Sequence, residues 1–293
     1  MSTSATGARP NRQDGVMADR TLTLMAVHAH PDDEASSTGG VLARYSAAGI
    51  RTVVVTCTNG EYGDGPGGVK PGDEGHDPDE VKRTRLAELD DACAILGVTH
   101  LELLGYTDSG MVDWQYKEHE RAFCQVPMEE STARLVELFE RYQPDVVVTY
   151  DHDGAYDHPD HVRASLITMA AVEQTNIPQK AYFTGMRRGR WDEVRRIMEE
   201  QGIEVPPAPP RSKEWEKRVA AMEAKITTTI DVSDLIDAKR TALGAHVSQM
   251  QGGFWGKMPE EAYAHIFGSE SFVRVVDRTG ADLPEDDLFA GIA

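Results

Sequence analysis

The chain has 293 residues, near the upper limit for one hydrophobic core, and 40% of them are apolar, so we expect a sizeable buried core. Its formal net charge is −19, from 49 acidic and 30 basic residues. A surface this acidic repels phosphate backbones and anionic lipids. We therefore expect neither nucleic acid nor a membrane surface as a partner.

Cysteine use and hydropathy indicate the compartment. The three cysteines are widely spaced and odd in number, which favours neither a disulfide framework nor a CxxC metal site. No apolar run approaches the ~20 residues that span a bilayer, and the polar N-terminus lacks a hydrophobic segment of the signal-peptide type. We therefore expect a cytoplasmic protein. Residues 1–19 are predicted to be a disordered tail, and Met17 is an alternative start to Met1.

The first two thirds of the chain alternate between buried strands and helices. A strand at 22–28, a helix at 35–48 and a strand at 51–58 form a β-α-β crossover, which is typical of parallel sheets. The Gly- and Asp-rich residues 59–78 predict a long functional loop. The next predicted elements are a helix at 79–96, a strand at 100–104, a helix at 131–142, a strand at 145–150 and a helix at 161–173.

The last third of the chain has a less regular pattern. The predicted elements there are a strand at 180–184, a helix at 191–201, a Pro-rich linker at 204–210, a strand at 225–231, a helix at 235–249 and a strand at 271–276. The fold class is therefore α/β, with a Rossmann-like, mostly parallel sheet and helices on both faces. We expect a catalytic core at 20–203 and a C-terminal extension at 204–293 packed on that core.

Two clusters of His and Asp residues follow two of the strands. Residues 30–34 read His-Pro-Asp-Asp-Glu after the first strand, and residues 156–161 read Tyr-Asp-His-Pro-Asp-His after the strand at 145–150. Ligands of open parallel sheets bind outside the carboxyl ends of the strands, so both clusters are expected to face one site. Three imidazole and carboxylate ligands with one open position make a catalytic zinc site.

The predicted metal ligands are His30, Asp33 and His161. His30 and Asp33 stand three residues apart on a tight turn, so their polar atoms can converge, and His161 comes from the other strand end. Asp32 need not bind the metal and can take a proton from a water that the metal has made acidic. His158 lies about one helical turn before His161 and can stabilise charge or deliver a proton.

Two more residues of the second cluster complete the predicted chemistry. Asp160 can hold the His158 ring in one tautomer, as carboxylates around metal sites do. Tyr156 can donate its hydroxyl to a developing oxyanion. Because the two clusters together supply a full ligand set and a spare acid/base, we favour metal catalysis over a purely structural role.

Other interpretations of the same residues stay open. Asp32 or Asp33 can simply cap the following helix, and the His158/His161 pair can be a surface pair or a cap. Two histidines and one carboxylate also suit Fe(II) oxygenases, although no residue set for a cosubstrate is evident. A carbohydrate-binding protein that has lost catalysis is a further alternative.

The two clusters, His28-Ala29-His30-Pro31-Asp32-Asp33-Glu34 and His158-Pro159-Asp160-His161, resemble those of the PIG-L/LmbE-like family of metal-dependent N-deacetylases. The likeness covers roughly residues 21–172 and includes Arg85 on a helix and Asp108 in an Asp-Ser-Gly-Met loop. A weaker match lies at His246-Val247-Ser248-Gln249.

The resemblance implies a Rossmann-like fold with Zn²⁺ held by His30, Asp33 and His161. Apart from the resemblance, Fe²⁺ is an alternative metal for hydrolysis at the same site. It also implies Asp32 as general base, Tyr156 as oxyanion donor and His158 as an acid or electrostatic partner. Arg85 and Asp108 would bind sugar hydroxyls. The plainer alternatives are an ion pair of Arg85 with Glu88 on the helix surface and a turn formed by Asp108.

Within the family, the chain is similar to the mycothiol-pathway enzymes, an N-acetylglucosaminyl-inositol deacetylase and a mycothiol S-conjugate amidase. The amidase type usually carries a Lys where this chain has Ser37-Thr38-Gly39, which favours deacetylation of an amino-sugar conjugate. Deacylation of a natural-product glycoside remains an alternative. The expected partner is this small-molecule substrate, and assembly into a homo-oligomer stays open.

Overall fold

The computed structural model describes residues 20–185, 187, 190–203, 205, 212–250 and 258–292. The expected tail at 1–19 lies outside these residues, as does the expected linker at 204–210 except for residue 205. Among the helices in the described ranges, none combines the length and the apolar character needed to cross a membrane.

The described strands form one seven-stranded sheet. They are β1 (Thr23–His28), β2 (Arg51–Thr58), β3 (His100–Tyr106), β4 (Val146–Thr149), β5 (Lys180–Gly185), β6 (Thr228–Asp231) and β7 (Ser269–Asp277). Their order is β3-β2-β1-β4-β5-β7-β6. The strands from β3 to β5 are parallel, whereas β7 runs antiparallel to both β5 and β6. The predicted α/β fold with a mostly parallel sheet is confirmed.

The helices of the described residues are α1 (Asp33–Ala47), α2 (Pro78–Ile95), α3 (Met128–Tyr142), α4 (Gly154–Asp157), α5 (Pro159–Thr175), α6 (Arg190–Glu200), α7 (Lys213–Glu223), α8 (Ile236–Ala245), α9 (Val247–Met250) and α10 (Glu260–Phe267). Helices α7 and α10 were not predicted from the sequence. Both are short, but α7 is rich in the helix formers Glu, Lys and Ala, which was a usable signal. The predicted helix at 235–249 ends earlier than expected, and α9 follows it as a separate turn.

Hydrophobic layers cover both faces of the sheet. Successive strand residues point to opposite faces, so Leu24 packs with α1, α2 and α8 while Met25 packs with α3 and α5. Both side chains are fully buried. Burial on two faces explains why the central strands are continuous apolar runs rather than alternating ones.

The two His/Asp clusters lie at the point where the strand order reverses. From β1 the chain crosses towards β2 and β3, whereas from β4 it crosses towards β5, and β1 and β4 are hydrogen-bonded neighbours. Helices on the two sides diverge at such a point and leave a crevice outside the carboxyl ends of the strands. The loops after β1 and β4 therefore bring both clusters to this crevice.

Candidate metal and catalytic site

Three atoms of the predicted ligand set form a small triangle. Nδ1 of His30 lies 3.2 Å from Nε2 of His161 and 3.4 Å from Oδ2 of Asp33. The third side, from His161 Nε2 to Asp33 Oδ2, is 3.5 Å. A tetrahedral zinc with ligand bonds near 2.1 Å places its donor atoms about 3.4 Å apart. The three side chains therefore fit a metal ion of this size without rearrangement.

Hydrogen bonds from neighbouring residues hold the predicted ligands in place. The Tyr150 hydroxyl donates to Asp33 Oδ2 at 2.7 Å and accepts the backbone N–H of Ala29 at 2.8 Å. Nε2 of His30, on the far side of the ring from the triangle, lies 3.2 Å from Oδ2 of Asp160. A carboxylate behind a ligating histidine is the usual support in metal sites, because it fixes the tautomer that leaves the other nitrogen free to bind.

The Asp160 contact corrects the sequence prediction. The carboxylate of Asp160 was expected to hold His158, but it meets His30, and Ser109 donates to it through both its backbone N–H and its hydroxyl. The reason is geometric: Asp160 lies in the first turn of α5, and its side chain faces the loop after β3. Its backbone N–H, rather than its carboxylate, reaches His158.

His158 is both a helix cap and a member of the site. Its Nδ1 accepts the backbone N–H of Asp160 at 3.2 Å, so the neutral ring carries its proton on Nε2. The His158 ring is buried, and its centroid lies 4.5 Å from that of the His30 ring. One nitrogen from each of His30, His158 and His161 lies within 4.8 Å of the other two, so these three residues could hold a metal ion. The capping interpretation is thus correct, and it places the ring beside the ligands.

Asp32 precedes α1 in an unusual backbone conformation. Its φ angle is 113°, and its side chain makes no capping hydrogen bond to the helix, so the capping alternative is wrong for this residue. The carboxylate instead lies 3.0 Å from the Arg85 guanidinium. Burial raises the pKa of Asp32 to about 6, against the opposing effect of the Arg85 charge. A carboxylate tuned in this way can accept a proton near neutral pH.

Arg85 is buried within the site rather than exposed on the surface of α2. Its guanidinium donates to the backbone carbonyls of Gly60 (2.7 Å) and Pro31 (2.6 Å) in addition to Asp32. The alternative of a helix-surface ion pair is therefore wrong. Close packing explains the glycine: a Cβ on Gly60 would lie 2.5 Å from the Arg85 guanidinium.

Asp108 does form the turn that the plainer interpretation expected. Its Oδ1 accepts the backbone N–H of Gly110 at 2.7 Å, and the same oxygen lies 3.6 Å from Nε2 of His30. Its own backbone N–H donates to Glu61 in the Gly-rich loop. Asp108 thus joins the loop after β2 to the ligand cluster.

Tyr156 lies at the rim of the site. The residue is 52% exposed, and its ring centroid lies 4.9 Å from that of His161 and 5.8 Å from that of His158. The turn that presents it is strained, because the neighbouring Ala155 and Asp157 have φ angles of 64° and 65°. A phenol in this position can meet a substrate that enters from solvent.

The electrostatic environment favours a cation between the ligands. Burial lowers the pKa of His161 and of His158, so both are neutral imidazoles, the form that binds metals. Burial opposes protonation of His30 as well, but the carboxylates of Asp108, Asp160 and Asp33 outweigh it and raise the pKa of His30. The carboxylate shell thus stabilises positive charge where the triangle lies.

Sequence analysis missed several residues that hold the site. Tyr150, Ser109 and Glu61 were not singled out as site residues, although Ser109 lies in the Asp-Ser-Gly-Met loop that belongs to the family resemblance. Their positions were a further signal, because each follows the carboxyl end of a strand. His28 is fully buried, and its Nε2 lies 2.8 Å from Oγ1 of Thr38.

A mostly parallel sheet that brings a His-His-Asp triangle and a further carboxylate to its carboxyl edge is the arrangement expected of a metal-dependent hydrolase. The sequence matches the family described as PIG-L, GlcNAc-PI de-N-acetylase, over residues 25–172. The chain belongs to this family, and it is a hydrolytic enzyme whose clustered His and Asp residues could hold a metal ion.

Relatives match along nearly the whole chain. A 1D-myo-inositol 2-acetamido-2-deoxy-alpha-D-glucopyranoside deacetylase of Actinosynnema mirum is 41% identical over 279 residues, which cover 92% of this chain and 96% of the relative. A mycothiol S-conjugate amidase of Streptomyces coelicolor is 33% identical over 293 residues, covering 92% and 97%.

A solved structure shares the fold. The N,N'-diacetylchitobiose deacetylase of Pyrococcus horikoshii matches with a TM-score of 0.56 at 20% identity, covering 86% of this chain and 83% of that protein. At this identity the likeness supports the fold alone.

Proposed function

We propose that this protein removes the N-acetyl group from a GlcNAc-inositol-like amino-sugar conjugate, with Zn²⁺ as its metal. The observation that carries the proposal is the 41% identity, over nearly the full length of both chains, to a deacetylase named for such a substrate. The site geometry is consistent with this reaction. The water oxygen bonds to the amide carbon, the C–N bond breaks, and acetate and a free amine are released.

His30, Asp33 and His161 would hold the metal through the triangle described above. A bound Zn²⁺ acts as a Lewis acid, which polarises a carbonyl and makes water acidic enough to lose a proton near neutral pH. Fe²⁺ would suit the same two histidines and carboxylate, so it is the alternative metal.

Asp32 is the proposed general base. Its carboxylate takes a proton from the attacking water. The protonated Asp32 can then act as an acid and give this proton to the leaving nitrogen. Arg85 orients this carboxylate from behind through the 3.0 Å contact. The sugar-binding roles of Arg85 and Asp108 remain predictions, since both residues make hydrogen bonds within the protein: Arg85 to the carbonyls of Gly60 and Pro31, and Asp108 to the backbone N–H of Gly110.

Tyr156 and His158 are proposed as hydrogen-bond donors to the oxygen and nitrogen, respectively, of the amide that is cleaved. The hydroxyl of Tyr156, at the open rim, donates to the developing oxyanion. Nε2–H of His158 is available as a donor because its Nδ1 is occupied by the Asp160 backbone. Asp160, in turn, is proposed to orient the ligand His30 rather than His158.

Three alternatives compete with this proposal. Mycothiol S-conjugate amidase activity is favoured by the 33% identity to the Streptomyces coelicolor enzyme, and a natural-product glycoside is a further substrate class. A carbohydrate-binding protein without catalysis is disfavoured by the assembled ligand triangle.

The cytoplasm is the proposed compartment, because the three cysteines are free.

A substrate panel tests the proposal. Zinc-loaded protein is given GlcNAc-inositol, other N-acetylglucosaminides and N-acylcysteine conjugates of mycothiol type, and free amine is measured. We expect release from GlcNAc-inositol, and release at least about 100-fold slower with the matched variant Asp32→Asn. Preferred cleavage of the cysteine conjugates would favour the amidase instead, and no release from any member would contradict the enzymatic proposal.

A further inference from the structure

Asp32 has a backbone conformation that needs external support. A φ of 113° is rare for a residue with a side chain, and such strain persists only where neighbouring groups hold it. Its carbonyl accepts the backbone N–H of Ser36 at 3.1 Å, and its carboxylate meets Arg85. The remaining backbone group, the Asp32 N–H, donates to Oε2 of Glu34 at 2.9 Å.

Glu34 is itself held by a residue from the far end of the chain. Both its side chain and that of His246 are fully buried, and Glu34 Oε1 lies 2.7 Å from His246 Nε2. A buried carboxylate needs such a partner, because burial without one is costly. The two residues are 212 positions apart in sequence. His246 directly follows α8, which packs against α1 and α2.

Two residues after His246 also hydrogen-bond to elements around Asp32. Ser248 donates to the Glu88 carboxylate through both its backbone N–H and its hydroxyl, at 2.7 and 2.6 Å. Gln249 pairs with the backbone of Asp64 in the Gly-rich loop, accepting its N–H and donating to its carbonyl. The segment therefore contacts the helix that carries Arg85 and the loop that covers it.

We propose that His246 and Glu34 form a positioning pair for Asp32. The pair touches neither substrate nor metal; it fixes the Asp32 backbone so that its carboxylate faces both Arg85 and the crevice. The C-terminal third of the chain, which contains His246, would thereby support catalysis in addition to contributing β6 and β7 to the sheet. The inference rests on the base role of Asp32 in the proposed function.

Three variants test the pair in metal-loaded protein. His246→Ala should lower kcat by about 10- to 100-fold, since a displacement of about 1 Å in a catalytic group costs that much. KM should stay within about twofold and the bound metal should be unchanged. His246→Gln, whose amide can still donate to Glu34, should recover part of kcat. Glu34→Gln should lower kcat by an intermediate factor. If His246→Ala does not fold, His246→Gln and Glu34→Gln test the pair in its place.

A matched control separates positioning from general stability. Lys239 and Glu270 form another buried pair at 2.5 Å, and Glu270 accepts backbone N–H groups of Gly40 and Val41 on the same helix α1. Lys239→Met should therefore lower the melting temperature while leaving kcat within about twofold. An equal loss of kcat in Lys239→Met and His246→Ala would overturn the proposal.

Hydrogen exchange provides a readout that needs no substrate. The Asp32 amide should exchange faster in His246→Ala, measured by mass spectrometry on the peptide that contains Asp32, and at the wild-type rate in Lys239→Met. An unchanged rate in His246→Ala would overturn the positioning role. If the wild-type protein cleaves nothing in the substrate panel, the proposed function fails, and the exchange comparison still decides the positioning pair.

Discussion

Nδ1 of His30 lies 3.2 Å from Nε2 of His161, although 131 positions separate the two residues in sequence. The contact exists because β1 and β4 are adjacent parallel strands whose following loops meet at one edge of the sheet. It is the geometric basis of the metal site.

Loss of either histidine should therefore remove the metal. His30→Ala or His161→Ala leaves two ligands, and we expect metal content below about a tenth of wild type by elemental analysis of protein purified with added zinc. His119→Ala, at an exposed position, is the control and should keep its metal. Full occupancy in His161→Ala would exclude this residue from the ligand set.

Asp32→Asn should separate catalysis from metal binding. The amide keeps the shape of the carboxylate but cannot accept the proton, so turnover should fall by a factor of about 100 or more while metal content stays at wild type. Amine release and elemental analysis on the same preparation check both expectations. Undiminished turnover would contradict the assignment of Asp32 as base.

The pH profile should report the carboxylate of Asp32. Because its pKa is raised to about 6 and the ionised form is active, kcat/KM should fall about tenfold per pH unit below that value. The Arg85 charge lowers the pKa of Asp32, so Arg85→Gln should move the acid limb to higher pH. Arg85→Lys keeps a positive charge and should shift the limb less. An acid limb at the same pH in all three proteins would contradict the coupling.

Tyr156→Phe should affect the rate but not the fold. The residue is 52% exposed, so removing its hydroxyl should leave the melting temperature within about 1 °C of wild type. Loss of one oxyanion donor typically costs about 100-fold in kcat. Steady-state kinetics and thermal unfolding distinguish this outcome from a rise in KM alone, which would indicate a role in substrate binding.

Glu285→Gln should destabilise the C-terminal part of the sheet. The carboxylate contacts Lys180 at 2.5 Å and Arg274 at 2.7 Å, and it also accepts from the Tyr182 hydroxyl. Breaking a buried pair leaves an uncompensated charge and costs about 3–5 kcal/mol in free energy of unfolding. Denaturant titration measures this loss. A change below about 1 kcal/mol would show that Lys180 finds another partner.

Local patterns in the sequence determined most of the elements and the ligand types. The strand at 51–58 was predicted with its observed bounds, and the predicted helix at 161–173 lies within α5. Burial on two faces makes such strands continuously apolar, so they can be recognised without knowledge of their neighbours. The order of His and Asp after these strands then indicated one metal site.

Only the tertiary structure decided which side chains meet. It turned the Asp160 carboxylate towards His30, buried Arg85 against Asp32, and paired Glu34 with His246 across 212 positions. It also ran β7 antiparallel to β5. The physical reason is that periodicity reports the burial of a segment and not its partner. Partners at such separations are selected by the packing of whole helices and strands, which no single stretch of sequence contains.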